Sequence, residues 1–177
     1  SSEVEGGGIY MNNADPSMNL TTVRNNIAAT LGGGIYLSNS GPSLSRVVVD
    51  YNEAMDGGGL FLASFASSNL VNTVVAFNKA SNEGGGLYLN NAETDLVNVT
   101  VTDNEAVIHG GAFFFKGDLL KSRNSLLSSG GSSPDEIWYS SSGSSNSMTL
   151  HYTDVAGGLD GIAINDNGTV DWGEGNL

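Results

Sequence analysis

The stretch that decides the fold is residues 5–13, EGGGIYMNN, in which three glycines run directly into an apolar, strand-like segment. The chain repeats it as LGGGIYLSN at 31–39, DGGGLFLAS at 56–64, EGGGLYLNN at 83–91 and HGGAFFFKG at 109–117. The first glycine of each copy recurs at intervals of 26, 25, 27 and 26 residues. This nearly constant period identifies an internally repeated architecture.

A second marker recurs with the same period. An asparagine stands once in every period, and an alanine follows each of them two residues later: Asn26, Asn52, Asn78 and Asn104, with Ala28, Ala54, Ala80 and Ala106. Short runs of β-branched and aromatic residues precede each asparagine and follow each glycine block, which is typical of strands. Such short strands become stable when each stacks on its copy, about 4.8 Å away. The sequence therefore predicts an all-β parallel solenoid with about 26 residues per coil.

The solenoid interpretation explains both markers. Glycine permits positive φ and close backbone approach, so the triplets are predicted to be corners where a side chain would collide with the neighbouring coil. A phosphate-binding loop would need a following helix and a lysine, and the pattern provides neither. Stacked asparagines are expected to hydrogen-bond amide to amide inside a bend. The same is expected of a second, shorter column, which consists of Asn72, Asn98 and Asn124. A row of ligand-binding amides is the alternative.

Composition limits the classes of function. The chain has 177 residues, of which 39% are hydrophobic and 14% charged, and its net charge of −13 argues against nucleic acid as a partner. No apolar run reaches the roughly 18 residues of a transmembrane helix. We expect one domain, with regular coils over 1–117 and irregular closing coils over 118–177. Because the sequence starts immediately before a repeat, we expect it to be a fragment of a longer chain.

The repeat resembles that of known proteins. The pattern N-x-A followed by GGG-[IL]-[YF] resembles right-handed parallel β-helix proteins of bacterial surfaces. It is similar to the repeats of chlamydial polymorphic outer membrane proteins, which pair a GGA-type turn with a Phe-x-x-Asn motif. The phenylalanine position is occupied here by Val23, Val49, Val75 and Val101.

The second half of the chain carries a further resemblance. The segments PDEI at 134–137, YTDVAGG at 152–158 and GNL at 175–177 resemble the closing coils of large secreted or surface-anchored β-helix proteins of environmental bacteria. The resemblance implies a right-handed solenoid and a secreted or cell-surface location. It implies no particular activity, since this fold carries lyases, hydrolases and inert stalks alike.

Alternation along the strands selects a candidate contact surface. If Ile35 and Leu37 point inward, Tyr36 points to solvent, and the equivalent residues form one outward aromatic column. Its members are Tyr10, Tyr36, Phe61, Tyr88 and Phe114. Such a column is a hypothetical binding surface for a polysaccharide or a cell-surface glycan. The alternative is structural stacking of the rings.

A second column, directly before the glycines, contains Asp56, Glu83 and His109. Two carboxylates about one coil apart suit glycoside hydrolysis, and their repulsion would raise one pKa. The same carboxylates could instead hold Ca²⁺, which is the one cofactor that the sequence leaves open; no other cofactor is predicted. An exposed rim of turn residues is the alternative.

A third column alternates in charge from coil to coil: Glu53, Lys79 and Glu105. This alternation predicts a ladder of surface ion pairs, and the nearby Asp50 and Asp103 are expected to be solvated.

Two further motifs are weaker. Residues 163–174 show EF-hand-like spacing through Asn165, Asn167 and Asp171, but Ala163 stands at the first ligand position and no helices flank the segment. His151 lies near Asp154 without a nucleophile elbow, so no catalytic triad is predicted. The sequence favours a non-enzymatic extracellular stalk or glycan-contact scaffold over a polysaccharide-cleaving enzyme. Open coil edges would also allow the isolated chain to associate end to end.

Overall fold

The structure is a computed structural model that describes residues 4–117, 119–130, 133, 135–140, 146–164 and 168–177. It is a parallel β-solenoid, as the repeat predicted. Within the described residues the strands form four parallel sheets, called here A, B, C and D in the order in which each coil visits them. Sheet A contains seven strands, which bound six turns of the chain.

The strands of sheet A follow the glycine blocks, and those of sheet B follow the next corner. Sheet A consists of Ile9–Asn12, Ile35–Ser38, Leu60–Ala63, Leu87–Asn90, Phe113–Lys116, Ile137–Tyr139 and Ile162–Ile164. Sheet B consists of Ser17–Asn19, Ser43–Ser45, Ser67–Val71, Glu93–Val97, Leu119–Arg123, Asn146–His151 and Gly168–Trp172.

The remaining two sheets are smaller. Sheet C consists of Thr22–Arg24, Val48–Asp50, Val74–Ala76, Thr100–Thr102, Leu126–Leu127 and Asp154–Val155. Sheet D consists of Glu53–Ala54, Lys79–Ala80 and Glu105–Ala106. A short 3₁₀ turn, Gly158–Gly161, precedes the last strand of sheet A.

The register between coils is regular in the first part of the chain and less regular later. In sheet C, Thr22 pairs with Val48 and Val74 pairs with Thr100, so each residue meets its copy one repeat period further along the chain. Leu126 pairs with Asp154, and this interval is longer than the period of the earlier coils. Because of this longer interval, equivalent residues no longer recur at the spacing of the earlier coils, although the parallel sheets continue.

The interior is filled by one layer of apolar side chains per coil. Ile35 and Leu37 from sheet A, Leu44 from sheet B and Val49 from sheet C are all fully buried, which confirms the predicted alternation. Their equivalents in successive coils join one continuous core. Burying these side chains supplies the main stabilisation, about 1.5–3 kcal/mol for each large one.

The asparagine column forms the predicted ladder. In the buried members the side-chain Nδ2 of Asn52 donates to Asn78 Oδ1 (3.0 Å), and that of Asn78 donates to Asn104 Oδ1 (2.9 Å). The same Nδ2 atoms also donate to the backbone oxygens of Val23 (3.0 Å) and Val49 (2.9 Å). Because these bends are buried, the amides supply the hydrogen bonds that water cannot.

Each glycine of a triplet has a different reason to be glycine. Gly57 has a φ of +64°, the left-handed conformation of a corner. A Cβ on Gly58 would lie 2.4 Å from the backbone oxygen of Lys79, and a Cβ on Gly59 would lie 2.6 Å from the backbone oxygen of Gly86 and 3.0 Å from Asn78 Nδ2. The glycine block and the asparagine ladder are therefore one packed unit, which explains why both recur together.

Left-handed residues also mark the corner between sheets B and C. Six of them stand in one column: Leu20, Arg46, Asn72, Asn98, Asn124 and Tyr152, with φ values between +50° and +54°. Asparagine tolerates this conformation better than other side chains with a Cβ, because its short amide can bond locally.

Replacing Leu20 with asparagine is expected to stabilise the protein. Leu20 is 73% exposed, so the change removes little packing while relieving an unfavourable φ of +51°. We expect a gain of about 0.5–1 kcal/mol in the free energy of unfolding, measured by urea denaturation. A matched Thr22→Asn change in the adjoining strand should give no such gain; equal stabilisation by both would contradict the conformational explanation.

Candidate functional site

The aromatic column is a stack of parallel rings beside the corner glycines. Consecutive ring centroids lie 5.2, 5.7, 4.6 and 4.6 Å apart, from Tyr10 to Phe114. A Cβ on Gly32 would lie 3.0 Å from the Cβ of Tyr36, so the first glycine of this block leaves no room for a side chain beside the aromatic residue. This contact links the glycine to the aromatic residue four positions later.

The prediction that these rings point to solvent is wrong for four of the five. Tyr36, Phe61, Tyr88 and Phe114 are 3–8% exposed, and only Tyr10, at 52%, is accessible. The rings do lie outside the main core, but they form a second buried cluster together with Ala63, against which Leu31 and Trp138 pack. Alternation identified the face of the strand correctly; the stacking of the rings on one another and the packing of Leu31 and Trp138 against them decided the burial.

Stacking also occupies the ring faces that a sugar would use. Phe61 packs on Tyr36 on one side and on Tyr88 on the other, with interplanar angles of 15° and 18°. A pyranose ring binds an aromatic residue through one of its faces, and these faces are already covered. The inner rungs of the column are therefore structural in this arrangement.

The acidic column is integrated into the backbone of the corners. Asp56 Oδ1 accepts hydrogen bonds from Asn82 Nδ2 (2.8 Å) and from the backbone N–H of Glu83 (3.2 Å). Glu83 and His109 occupy paired positions in adjacent coils. His109 Nδ1 lies 2.8 Å from Asp135 Oδ2, and its ring stacks on Trp138 at 3.6 Å.

Both carboxyl groups of this column are shifted toward the protonated form. Burial raises the pKa of Asp56, opposed by its bonds to Asn82 and Glu83. Burial also raises the pKa of Glu83, with a further contribution from the negative charge of Asp56, while His109 and Lys116 oppose the shift. The three predicted residues thus lie within electrostatic range, but Asp56 and His109 each already hold a structural partner.

Replacing Glu83 with glutamine is expected to reduce the pH dependence of stability. A raised folded-state pKa means that the folded protein binds the proton more tightly than the unfolded chain, so this carboxyl destabilises the fold as pH rises above its ordinary value of 4.5. The Tm of Glu83→Gln at pH 7 should exceed that of the wild type by about 1–3 °C, and the difference should vanish near pH 4. An equal Tm difference at both pH values, measured by calorimetry, would contradict the ionisation argument.

The predicted charge ladder is present on sheet D. Lys79 pairs in register with Glu53 on one side and Glu105 on the other, and its Nζ lies 2.9 Å from Glu105 Oε2. The Lys79 side chain is largely exposed and that of Glu105 is partly exposed, so the pair contributes little stability.

The expectation that Asp50 is solvated is wrong. Asp50 is 5% exposed, and its carboxylate receives two bonds from Arg24, the Nε–Oδ1 distance being 2.8 Å. The Arg24 guanidinium lies 5.7 Å from the ring centre of Tyr51, which stacks on Phe77 at 5.1 Å. Tyr51 and Phe77 are 50% and 44% exposed, so accessible aromatic residues lie at this corner as well as at Tyr10, whereas the inner rings of the aromatic column are buried.

A surface groove lies at the corner between sheets B and C, in a place that the sequence did not indicate. It has a volume of about 540 Å³ and is lined by Asn98, Val99, Thr100, Asn124, Ser125, Leu126, Tyr152, Asp154, Gly175 and Leu177. Tyr152 continues the column of Asn72, Asn98 and Asn124. Because the interval from Asn124 to Tyr152 is longer than the repeat period, the periodic pattern did not reveal this position.

The sequence leaves calcium open at the carboxylates of the acidic column and shows an EF-hand-like spacing at residues 163–174. Among the residues that the structure describes, no group of three or more histidine, aspartate or glutamate side chains is placed to hold a metal ion. Asn165 and Asn167 of the EF-hand-like segment lie outside the described residues, and Ala163 and Asp171 lie in strands.

Within the described part of the chain, no helix has the length and apolar character needed to cross a bilayer. Comparison with protein-family models, curated proteins and solved structures finds no match to this chain.

Proposed function

We propose that this chain is a non-enzymatic module of a secreted or surface-anchored bacterial protein, acting as a rigid scaffold that contacts glycans. One observation carries the proposal: the side chains that recur once per coil make their contacts with residues of the neighbouring coils. The buried asparagines bond to one another, the rings stack, and Asp56 bonds to the next corner. A surface built this way is regular and rigid, which suits a stalk or adhesion surface.

Charge and sequence resemblance support the extracellular part of the proposal. A net charge of −13 keeps an extended solenoid soluble and repels phosphate-rich partners. The repeat itself resembles those of bacterial surface β-helix proteins. The proposal includes a right-handed sense of the coils, which rests on the same resemblance. End-to-end association of the isolated chain is a further prediction, since the outermost described strands of sheet A pair on one side only.

The experiment that tests this function measures binding and turnover together. The purified chain is applied to an array of neutral and acidic glycans, and the same glycans are incubated with it and analysed by mass spectrometry. Saturable binding with intact glycans is the expected result. Absence of binding to every glycan would contradict the glycan-contact function, and fragmentation would contradict the non-enzymatic one.

A polysaccharide-cleaving enzyme is the second candidate, and the raised pKa values of Asp56 and Glu83 favour it. A carboxyl with a raised pKa can act as a general acid near neutral pH. On this hypothesis the Glu83→Gln variant loses turnover but keeps glycan binding. The matched Glu53→Gln variant on sheet D, whose carboxyl lies on another face, should keep both.

A further inference from the structure

The groove between sheets B and C has the composition of a sugar-binding site. It combines an aromatic ring (Tyr152), two amides (Asn98 and Asn124), a hydroxyl (Thr100) and a carboxylate (Asp154) along one wall of the solenoid. Its volume of about 540 Å³ falls within the range of small-ligand pockets, roughly 300–1,000 Å³. Amides and carboxylates that can bond hydroxyls, beside a ring that accepts an apolar face, are what a saccharide requires.

The polar groups of the groove have hydrogen-bonding capacity to spare. Asn98 Nδ2 donates to Asn72 Oδ1 (3.1 Å), which orients the amide of Asn98 along the column. Within the described residues, the amide of Asn124 has no partner, although it is the next member of the same column. The ladder therefore stops inside the groove and leaves a donor and an acceptor available there.

The ring of Tyr152 is held in place but not enclosed. A Cβ on Gly175 would lie 2.3 Å from Tyr152 Cδ1, so the backbone of Gly175 packs directly against the ring. The backbone N–H of Tyr152 donates to the oxygen of Glu174 (2.9 Å), which fixes the two segments together. The ring nevertheless remains 58% exposed, unlike the four buried rungs of the aromatic column.

The direction and charge of the groove select the class of ligand. Its lining residues repeat from coil to coil, Asn98 above Asn124 and Thr100 above Leu126, so equivalent positions recur about every 4.8 Å along the solenoid axis. A linear glycan presents its sugar units with a comparable repeat. None of the ten lining residues is basic and Asp154 is acidic, which disfavours an anionic polymer.

We infer that the groove formed by Asn98, Thr100, Asn124, Tyr152 and Asp154 binds a short stretch of a neutral, linear polysaccharide lying parallel to the solenoid axis. This inference rests on the proposed glycan-contact function and names its site and ligand class. One sugar packs against the exposed side of Tyr152. The next sugars bond through their hydroxyls to Asn124 and Asn98.

The test uses the intact chain labelled with ¹⁵N and titrated with cellohexaose, maltohexaose, mannohexaose and xylohexaose, with hexagalacturonate as the anionic comparison. We expect at least one neutral oligosaccharide to shift the side-chain amide signals of Asn98 and Asn124. The buried amides of Asn52 and Asn78 should not move. Shifts caused mainly by hexagalacturonate, or shifts confined to other faces, would overturn the inference.

Matched variants separate the groove from the rest of the surface. Tyr152→Asn extends the asparagine column and keeps a residue that tolerates the φ of +50°, so the fold should persist while binding weakens roughly tenfold. Asn124→Gly, which also permits positive φ, should weaken binding similarly. Tyr51→Asn removes another half-exposed tyrosine from a left-handed corner outside the groove and should leave affinity unchanged.

The outcomes distinguish the inference from the proposed function. Binding that survives Tyr152→Asn and Asn124→Gly would place the glycan elsewhere, which overturns this site but not the glycan-contact function. No binding of any oligosaccharide, and none on the glycan array, would overturn both. Circular dichroism of each variant verifies that lost binding does not reflect lost structure.

Discussion

Asn78→Ala is expected to lower the free energy of unfolding by about 3–5 kcal/mol, because each of four hydrogen bonds lost in a buried place costs about 1 kcal/mol. Asn78 is fully buried in the middle of the ladder. Its Oδ1 accepts from the backbone N–H and the Nδ2 of Asn52, both at 3.0 Å, and its Nδ2 donates to Val49 and Asn104. Alanine removes all four bonds and leaves their buried partners unsatisfied.

The position within the ladder provides the control. Asn26 stands at the end of the described ladder, and within the described residues its side chain makes a single bond, from Nδ2 to Asn52 Oδ1 (3.0 Å). Asn26→Ala should therefore cost about 1 kcal/mol. Urea denaturation followed by circular dichroism measures both variants. Equal losses would contradict the argument that the cost follows the number of ladder hydrogen bonds removed.

A carboxylate at position 78 offers a second check on the same ladder. In Asn78→Asp the side chain can accept from Asn52 but no longer donates to Val49 or Asn104, and it carries a buried charge. Its destabilisation should exceed that of alanine at pH 7 and diminish as the pH falls and the carboxyl is protonated. A pH-independent loss would contradict this account.

Gly58→Ala is expected to cost about 3 kcal/mol or more, although it adds one methyl group. The new Cβ would lie 2.4 Å from Lys79 O and 2.5 Å from Lys79 C, which are backbone atoms of the next coil and cannot rotate away. The two coils would have to separate, which stretches the parallel ladder and opens voids in the core. Thermal and urea unfolding of the variant measure the loss.

Gly158→Ala is the control for this change. A Cβ on Gly158 meets no atom within 4 Å, so the substitution tests the cost of its φ of +60° without a steric clash. We expect a loss of about 1–2 kcal/mol at this site. If Gly58→Ala cost no more than Gly158→Ala, close approach between coils would not be what requires the middle glycine.

The sequence by itself determined the coil length, the parallel stacking and the identity of the inward residues. Residues such as Asn52 and Asn78 recur at one period because each must bond to its own copy, so the spacing directly records the contact between coils. The same logic placed Ile35 and Leu37 in the core. Local rules were sufficient here because successive coils present the same neighbour to each other.

Only the tertiary structure decided which outward side chains reach solvent. Strand alternation directed Tyr36 away from the core, but the rings of Tyr10 and Phe61 stack on it and Leu31 packs against its cluster, and burial depends on such contacts between segments. Asp50 was likewise buried by its pairing with Arg24 from the preceding coil. The groove beside Tyr152 arises where the period lengthens and Gly175 packs against the ring, so only the folded chain brings its walls together.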